Sequence, residues 1–230
     1  MGLAKKEQKR IEQAVKEAEK NNEGEIVPVF LPVSDLYPAA HFRLSLLLAA
    51  ITPFVAYFLP YLEISSLWYV TLPFPAAIIG YLLAFIPFFK RLFSTQGEFK
   101  EEVHQKALEV FFEQELHATK NRAVIMLLVS RLERRFEVIA DVGINEKVEK
   151  ETWDHVVSRF FRHQHQYPKK ERSKRAVDGL ISSIQECGQI LDKHFPLATE
   201  GAREQETGKG REENGASQDD SAVSNSVVTE

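Results

Sequence analysis

Residues 123–144 read AVIMLLVSRLERRFEVIADVGI. Ala123 to Ser130 is a continuous apolar run, the pattern of a strand covered on both faces. Arg131 to Arg134 then makes a short polar connection. In the following RFEVIADVG, Phe136, Val138 and Ala140 alternate with Arg135, Glu137 and Ile139, which suits an antiparallel neighbour. A central strand with an antiparallel partner is thus the seed of a sheet, and the rest of the chain is read by how it flanks that pair.

Upstream, Glu98 to Thr119 repeats Phe99, Val103, Ala107, Val110, Phe111 and Leu116 at helical spacing, with Glu98 well placed at the N-terminus. At the start of the chain, Leu3 to Lys20 carries a stripe of Leu3, Ile11, Ala14, Val15 and Ala18 and ends near Asn21, Asn22 and Gly24. The following EIVPVFLPVS is short and rich in β-formers, and Pro28 and Pro32 suit an edge position or a strand end. Downstream, two helices are expected: Asn145 to about His165, on Val148, Val156, Val157, Phe160 and Phe161, then about Lys170 to Phe195, on Val177, Leu180, Ile181, Ile184, Ile190 and Leu191. Pro168 separates them and Pro196 ends the second. First strand, crossover helix and second strand predict a right-handed parallel unit. The fold class is therefore α/β, a small α/β/α sandwich with a mixed sheet.

That sandwich is interrupted. Leu44 to Leu62 and Leu67 to Phe89 contain no charged residue, 19 and 23 consecutive positions against the roughly 20 that a spanning helix needs. Two transmembrane helices, about 44–62 and 67–89, are expected as a helical hairpin inserted into the crossover. The chain then divides into 1–35 as the first part of the domain, 36–97 as the hairpin with its linkers, 98–196 as the remainder, and 197–230 as a disordered polar tail. Arg43, Lys90 and Arg91 flank the outer ends of the hairpin, whereas Glu63 to Ser66 carries no base. By the positive-inside rule the soluble domain and both termini are expected in the cytoplasm, on a multi-pass inner-membrane protein. The spans hold several prolines but no acidic or basic residue, which disfavours an ion or proton path.

Over all 230 residues, 44% are hydrophobic, 27% are charged, and the formal net charge is −4. The acidic excess sits in the tail: Gly201 to Glu230 holds 7 acids and 3 bases with no aromatic residue, too little apolar surface to offset the entropy of ordering. The balanced charge elsewhere argues against a nucleic-acid partner. A single cysteine, Cys187, excludes an internal disulfide and lies in the apolar stripe of the last helix. The opening MGLAKKEQKRIEQAVKEAEK has no apolar signal core, so no cleaved leader is expected. No glycine-rich phosphate loop, G-x-S-x-G, H-E-x-x-H or paired C-x-x-C occurs, which disfavours nucleotide hydrolysis, serine hydrolysis and zinc proteolysis.

Several segments carry a family likeness: GEIVPVF at Gly24 to Phe30, FFEQELHATKNRAVIMLLVSRLERRFEVIADVGI from Phe111 to Ile144, Trp153 with Val156 and Val157, and CGQILDKHFP from Cys187 to Pro196. In this order the chain resembles the TPM domain family, in the bacterial membrane-anchored form whose domain is interrupted by two spanning helices after the first strand. The resemblance covers most of residues 3 to 196. It implies an α/β/α sandwich, divalent-ion binding and acid-phosphatase activity for some relatives, and assembly or upkeep of membrane complexes for others. Soluble relatives usually place one aspartate before the first helix and another shortly after the glycine-isoleucine turn. Here the chain starts close to the helix and the turn continues as NEKVEKETW, so part of that acidic set is absent. The resemblance carries a metal role, with calcium or magnesium as the ion, only onto Asp141, Asn145 and Glu146.

Read on their own chemistry, Asp141 ends a strand and Glu146 and Glu149 begin a helix. Acids in such positions either gather a hard cation that activates water or serve helix capping. His155, His163 and His165 share a helix, with His163 and His165 on different faces, and Glu113 and His117 share a face at i,i+4 spacing without a third ligand. Arg162, Lys169, Lys170, Arg172, Lys174 and Arg175 concentrate positive charge suited to lipid headgroups of a membrane bilayer, or to a solvated turn. Open α/β sheets bind partners beyond the carboxyl ends of parallel strands. That edge carries Ser34, Asp35, Ser130, Arg131 and Glu133, and the hairpin linkers leave from it. The expected function is a membrane-anchored protein-interaction or membrane-complex upkeep module meeting a membrane protein there, with a LemA-type protein suggested by association between the two families. The alternatives are a divalent-metal-dependent phosphatase at the Asp141 turn and a pore of oligomerised hairpins.

Overall fold

The computed structural model describes residues 4–58, 65–119, 121–164 and 172–197. Among these, β1 (Glu25–Leu31), β2 (Val124–Ser130) and β3 (Arg135–Ala140) form one sheet in the order β1-β2-β3. β1 lies parallel to β2, with Val27 opposite Met126, and β3 returns antiparallel, with Phe136 opposite Val129. The helices are α1 (Lys5–Ala18), α2 (Pro38–Phe58), α3 (Ser66–Thr71), α4 (Pro73–Leu83), α5 (Pro87–Phe93), α6 (Gln96–Glu113), α7 (Val142–Asn145), α8 (Lys150–Gln164) and α9 (Arg172–His194).

All of β2 is buried because helices cover both faces. A strand alternates its side chains, so Ile125, Leu127 and Val129 enter a cluster with Ile11 of α1, Phe160 of α8 and Leu180 of α9. Val124, Met126 and Leu128 point the other way, against Val103, Ala107 and Phe111 of α6. Each buried aliphatic or aromatic side chain of this kind favours folding by roughly 1.5–3 kcal/mol. The sheet is therefore mixed and sandwiched, with one helix on one face and three on the other. β1 is an edge strand, with Pro28 inside it and Pro32 just past its end. Its outward Ile26 N–H donates to Glu19 Oε1 at 2.6 Å, Pro28 has no N–H to offer, and the edge is blunted against further pairing. Burial of the Glu19 carboxyl against this edge raises its pKa.

The direction of each element defines two poles. α1 runs parallel to α9: Arg10 Nη2 meets Asp178 Oδ1 at 2.7 Å and Asn22 Nδ2 meets Asp192 Oδ1 at 2.7 Å. Both helices start at the end where β1 and β2 finish. α8 runs to that same end, its Phe160 ring stacked on Phe136 at 4.2 Å. The starts of α1 and α9, the end of α8, the β2–β3 turn and the hairpin thus share one pole, while Asp141 and α7 occupy the other.

Four boundaries differ from the sequence expectation. α6 stops at Glu113 because Glu115 turns left-handed (φ 52°), and Leu116–Ala118 form a separate 3-10 turn. The helix expected from Asn145 begins only at Lys150, as α8, and Asn145 instead ends the short α7. The first apolar helix is Pro38–Phe58, beginning earlier than 44–62, whose last residues lie outside the described ones. The second is no straight 67–89 span: Leu67–Leu83 and Pro87–Phe93 meet at 105°. Pro73 and Pro87 open α4 and α5. A proline lacks the N–H that would continue a helix and drives the preceding residue out of the α region; Ile86 is accordingly extended (φ −73°, ψ 125°). Among the described residues α2 alone is long and apolar enough to cross a bilayer, with mean hydropathy 1.5, and the bent pair qualifies only when taken together.

α2 and α4 pack antiparallel. His41 Nδ1 lies 3.2 Å from Tyr81 O, and Ser45 Oγ donates to Ala77 O at 2.9 Å. Gly80 permits the contact: a Cβ there would sit 2.8 Å from Leu44 O and from Ser45 Cα, both backbone atoms. The outer surface of this pair is apolar, with Leu46 69%, Phe54 68% and Phe74 70% exposed.

Candidate functional site

The hairpin is joined to the sheet through a buried carboxylate. Glu133, in the turn after β2, is 3% exposed. Its Oε1 accepts from Ser34 N (2.9 Å) and the Tyr37 hydroxyl (2.7 Å), and its Oε2 accepts from the Ser130 hydroxyl. Ser34 Oγ donates to Ser130 Oγ at 3.0 Å. The outgoing linker is thereby tied to the end of β2. Tyr37 stands edge-on to Phe99 at 5.3 Å, and burial together with the adjacent Glu133 raises its phenol pKa.

The returning linker is tied to the same turn. Arg91 Nη1 donates to Leu132 O at 2.6 Å and Arg135 Nη2 to Gln96 O at 3.0 Å. Arg43 of α2 grips Glu98 of α6 through two bonds of 2.9 and 2.5 Å. Glu98 also accepts from Thr95 N at 2.9 Å while Thr95 Oγ1 accepts from Glu98 N at 3.2 Å, a reciprocal cap on α6. The Arg43 guanidinium and the Thr95 N–H hold the Glu98 carboxyl down at about 2.

This corrects part of the expected partner-facing edge. Ser130 (1% exposed) and Glu133 face inward and bond within the protein. The turn RLERR gives no local sign of which charge is buried. Ser34 and Asp35 are half-buried and Arg131 is exposed. Ser34 and Asp35 line an open groove of about 370 Å³ with Glu102, Gln105, Lys106 and Glu109. Asp35 Oδ2 accepts from Tyr37 N at 2.8 Å, and burial and the Asp35 charge raise the Glu102 pKa. Among the described residues, no three His, Cys, Asp or Glu side chains are arranged to hold a metal ion.

At the opposite pole, Asp141 is 3% exposed. Its Oδ1 accepts from Val142 N (2.7 Å) and Arg122 Nη2 (2.9 Å), and its Oδ2 from Arg122 Nε (2.8 Å). Asn145 Nδ2 donates to Ala140 O at 2.7 Å, and its Oδ1 accepts from Trp153 Nε1 at 3.2 Å. Two of the three positions given a metal role are therefore committed to bonds inside the protein, and Glu146 is exposed on the surface. The Asp141 arrangement is a helix cap reinforced by an arginine fork. Asp before V-G-I at a strand end is a legible cap signal, but its pairing with Arg122 is not local. Gly143 allows the close approach, since a Cβ would lie 2.7 Å from Arg122 O.

Of the basic stretch, Arg162 and Lys174 are exposed and Arg175 is half-buried. Arg172 opens α9, while Lys169 and Lys170 lie outside the described residues, as does His165. His155 is exposed, and the His117 ring rests against Phe112 at 5.1 Å between centroids, in the 3-10 turn rather than on the helix of Glu113. Cys187 is fully buried in the core, which pushes its thiol pKa up.

The architecture is similar to the NMR structure of the BA42 protein from the psychrophilic bacterium Bizionia argentinensis, with a TM-score of 0.51 and 19% identity over 86% of this chain and 88% of that one. At that identity the likeness is one of fold. No protein-family model matches the sequence, and no curated protein matches it.

Proposed function

We propose that this protein is a membrane-anchored interaction or membrane-complex upkeep module of the TPM type, with its hairpin in the bilayer and its soluble domain against the membrane face. The observation that carries this reading is the double tie at the carboxyl edge of the parallel strands. Glu133 holds the outgoing linker and Leu132 O the returning one, so an apolar hairpin is fixed to the edge where α/β sheets meet partners. Its exposed apolar surface supports burial in lipid or against another membrane protein. On this reading the anchor is multi-pass in the inner membrane, with the soluble domain and both termini cytoplasmic.

The partner is a membrane protein, and a LemA-type protein is the first candidate. The test places a photocrosslinking residue at Leu36, 76% exposed beside the outgoing linker, or at the exposed Gln105 in the groove of Asp35, in full-length chain produced in membranes with and without a LemA-type protein. Resistance to alkaline extraction and one discrete protein adduct at both positions are expected. Release by alkali overturns the anchor, and adducts with lipid alone overturn the interaction module.

A further inference from the structure

Basic residues from separate stretches are carried to the hairpin pole by the elements that reach it. α1 opens there with Lys5, Lys6 and Lys9, the β2–β3 turn carries Arg131 and Arg134, α8 ends near Arg162, and Lys174 lies in the first turn of α9. Of the acids at this pole, Glu7 stands among the lysines of α1 and accepts from Ala4 N at 3.1 Å, and three more are engaged within the protein. Glu98 is held by Arg43 at 2.5 Å, Asp178 by Arg10 at 2.7 Å, and Glu133 by three hydrogen bonds. Asp35 and Glu102 stand to the α6 side, in the groove. The opposite pole instead mixes Glu23, Glu25, Glu146 and Glu149 with Lys147 and Lys150.

α5 adds the apolar half. It breaks from the α4 line by 105°, and Phe88 and Leu92, one helical turn apart on one face, are 68% and 62% exposed, while the half-buried Lys90 is on the opposite face. A short helix across the axis of an apolar hairpin, apolar on one face and basic on the other, suits the boundary between headgroups and acyl chains. Resting on the anchored reading above, we infer that the hairpin pole is a binding surface for anionic phospholipid, with Lys90, Arg131 and Arg134 on the headgroups and Phe88 and Leu92 below them. Each Lys or Arg brought close to such a surface strengthens binding roughly five-fold.

The test incorporates the full-length chain into nanodiscs of phosphatidylcholine alone and of phosphatidylcholine mixed with phosphatidylglycerol. Melting temperature and hydrogen exchange of the 131–134 turn are then read in each. Incorporation into both discs is expected, with a higher melting point and slower exchange only where phosphatidylglycerol is present. The difference should shrink at ~0.5 M salt, where charges are screened within a few ångströms. The double variant Lys90→Gln, Arg134→Asn should lose the difference while melting as the wild type does in phosphatidylcholine; asparagine suits the left-handed backbone of Arg134, φ 55°. Equal melting and exchange in the two lipids, with normal incorporation, overturns the lipid inference and leaves the anchor standing. Failure to enter either disc overturns both.

Discussion

Glu133 and Asp141 are buried carboxylates at opposite poles of one sheet, and each joins segments far apart in the chain. Glu133→Ala strands the Ser34 N–H and the Tyr37 hydroxyl and should cost about 2–4 kcal/mol in chemical unfolding, against about 1 kcal/mol for Tyr37→Phe, which removes a single bond. Asp141→Asn can still cap α7 but loses the charged fork from Arg122. Because Arg122 is 48% exposed, the cost is put at about 1–3 kcal/mol, below that of a fully buried pair. With its oxygens so engaged, chelator or added calcium or magnesium should move the melting temperature by no more than ~1 °C, since stabilisation needs binding to the native state. A metal-dependent rise that Asp141→Asn abolishes would restore the hydrolase reading of that turn.

Packing of α2 on α4 depends on one missing side chain. Gly80→Leu places carbon against backbone at Leu44 and Ser45, where nothing can swing aside, and overpacking of this sort costs about 1–3 kcal/mol. The readout is a disulfide between introduced cysteines at Ser45 and Ala77, neighbours through a 2.9 Å hydrogen bond. It should form readily with Gly80 present and fail with Leu. At the start of α6, Glu98 has its carboxyl lowered from 4.5 to about 2, so its ionised form is favoured by folding. Its stabilising contribution is complete above pH 4.5 and is lost as the pH falls from there to about 2. The melting-point gap between wild type and Glu98→Gln should accordingly close across that window; a gap constant with pH would remove Arg43–Glu98 from the account of how the hairpin is held.

For the whole molecule, the sheet and its two main clusters use no residue of the hairpin, whereas the small cluster of Tyr37, Ala40 and Phe99 does. Replacing residues 36–95 with a flexible linker should therefore preserve the circular dichroism of a folded α/β domain and a cooperative melt, at a lower temperature than the full chain. A non-cooperative melt would mean that the hairpin is part of the folding unit. A cooperative melt would make folding separate from the anchoring proposed above: one apolar surface closes on itself within the sandwich, and the other stays outward.

Much of this was legible locally. The unbroken apolar run at Val124–Ser130, the alternation after it, the helical stripes and the prolines of β1 are short-range patterns, so strand order, the antiparallel return and the buried faces followed from sequence alone. Helix breaks were less legible because apolarity masks them: Leu67 to Phe89 reads as one span by hydropathy, yet it bends by 105° at the break before Pro87. The site was least legible. Ser130 and Glu133 look like exposed charge and hydroxyl in a polar turn, and only the folded chain brings Ser34, 99 positions away, to bond Glu133. Asp141 was readable as a strand-end acid, but its engagement by Arg122 required β2 and β3 to be paired first. Periodicity and turn chemistry act within a few residues and so determined the elements; the partners of buried charged groups depend on which elements meet, and that was decided by the tertiary structure.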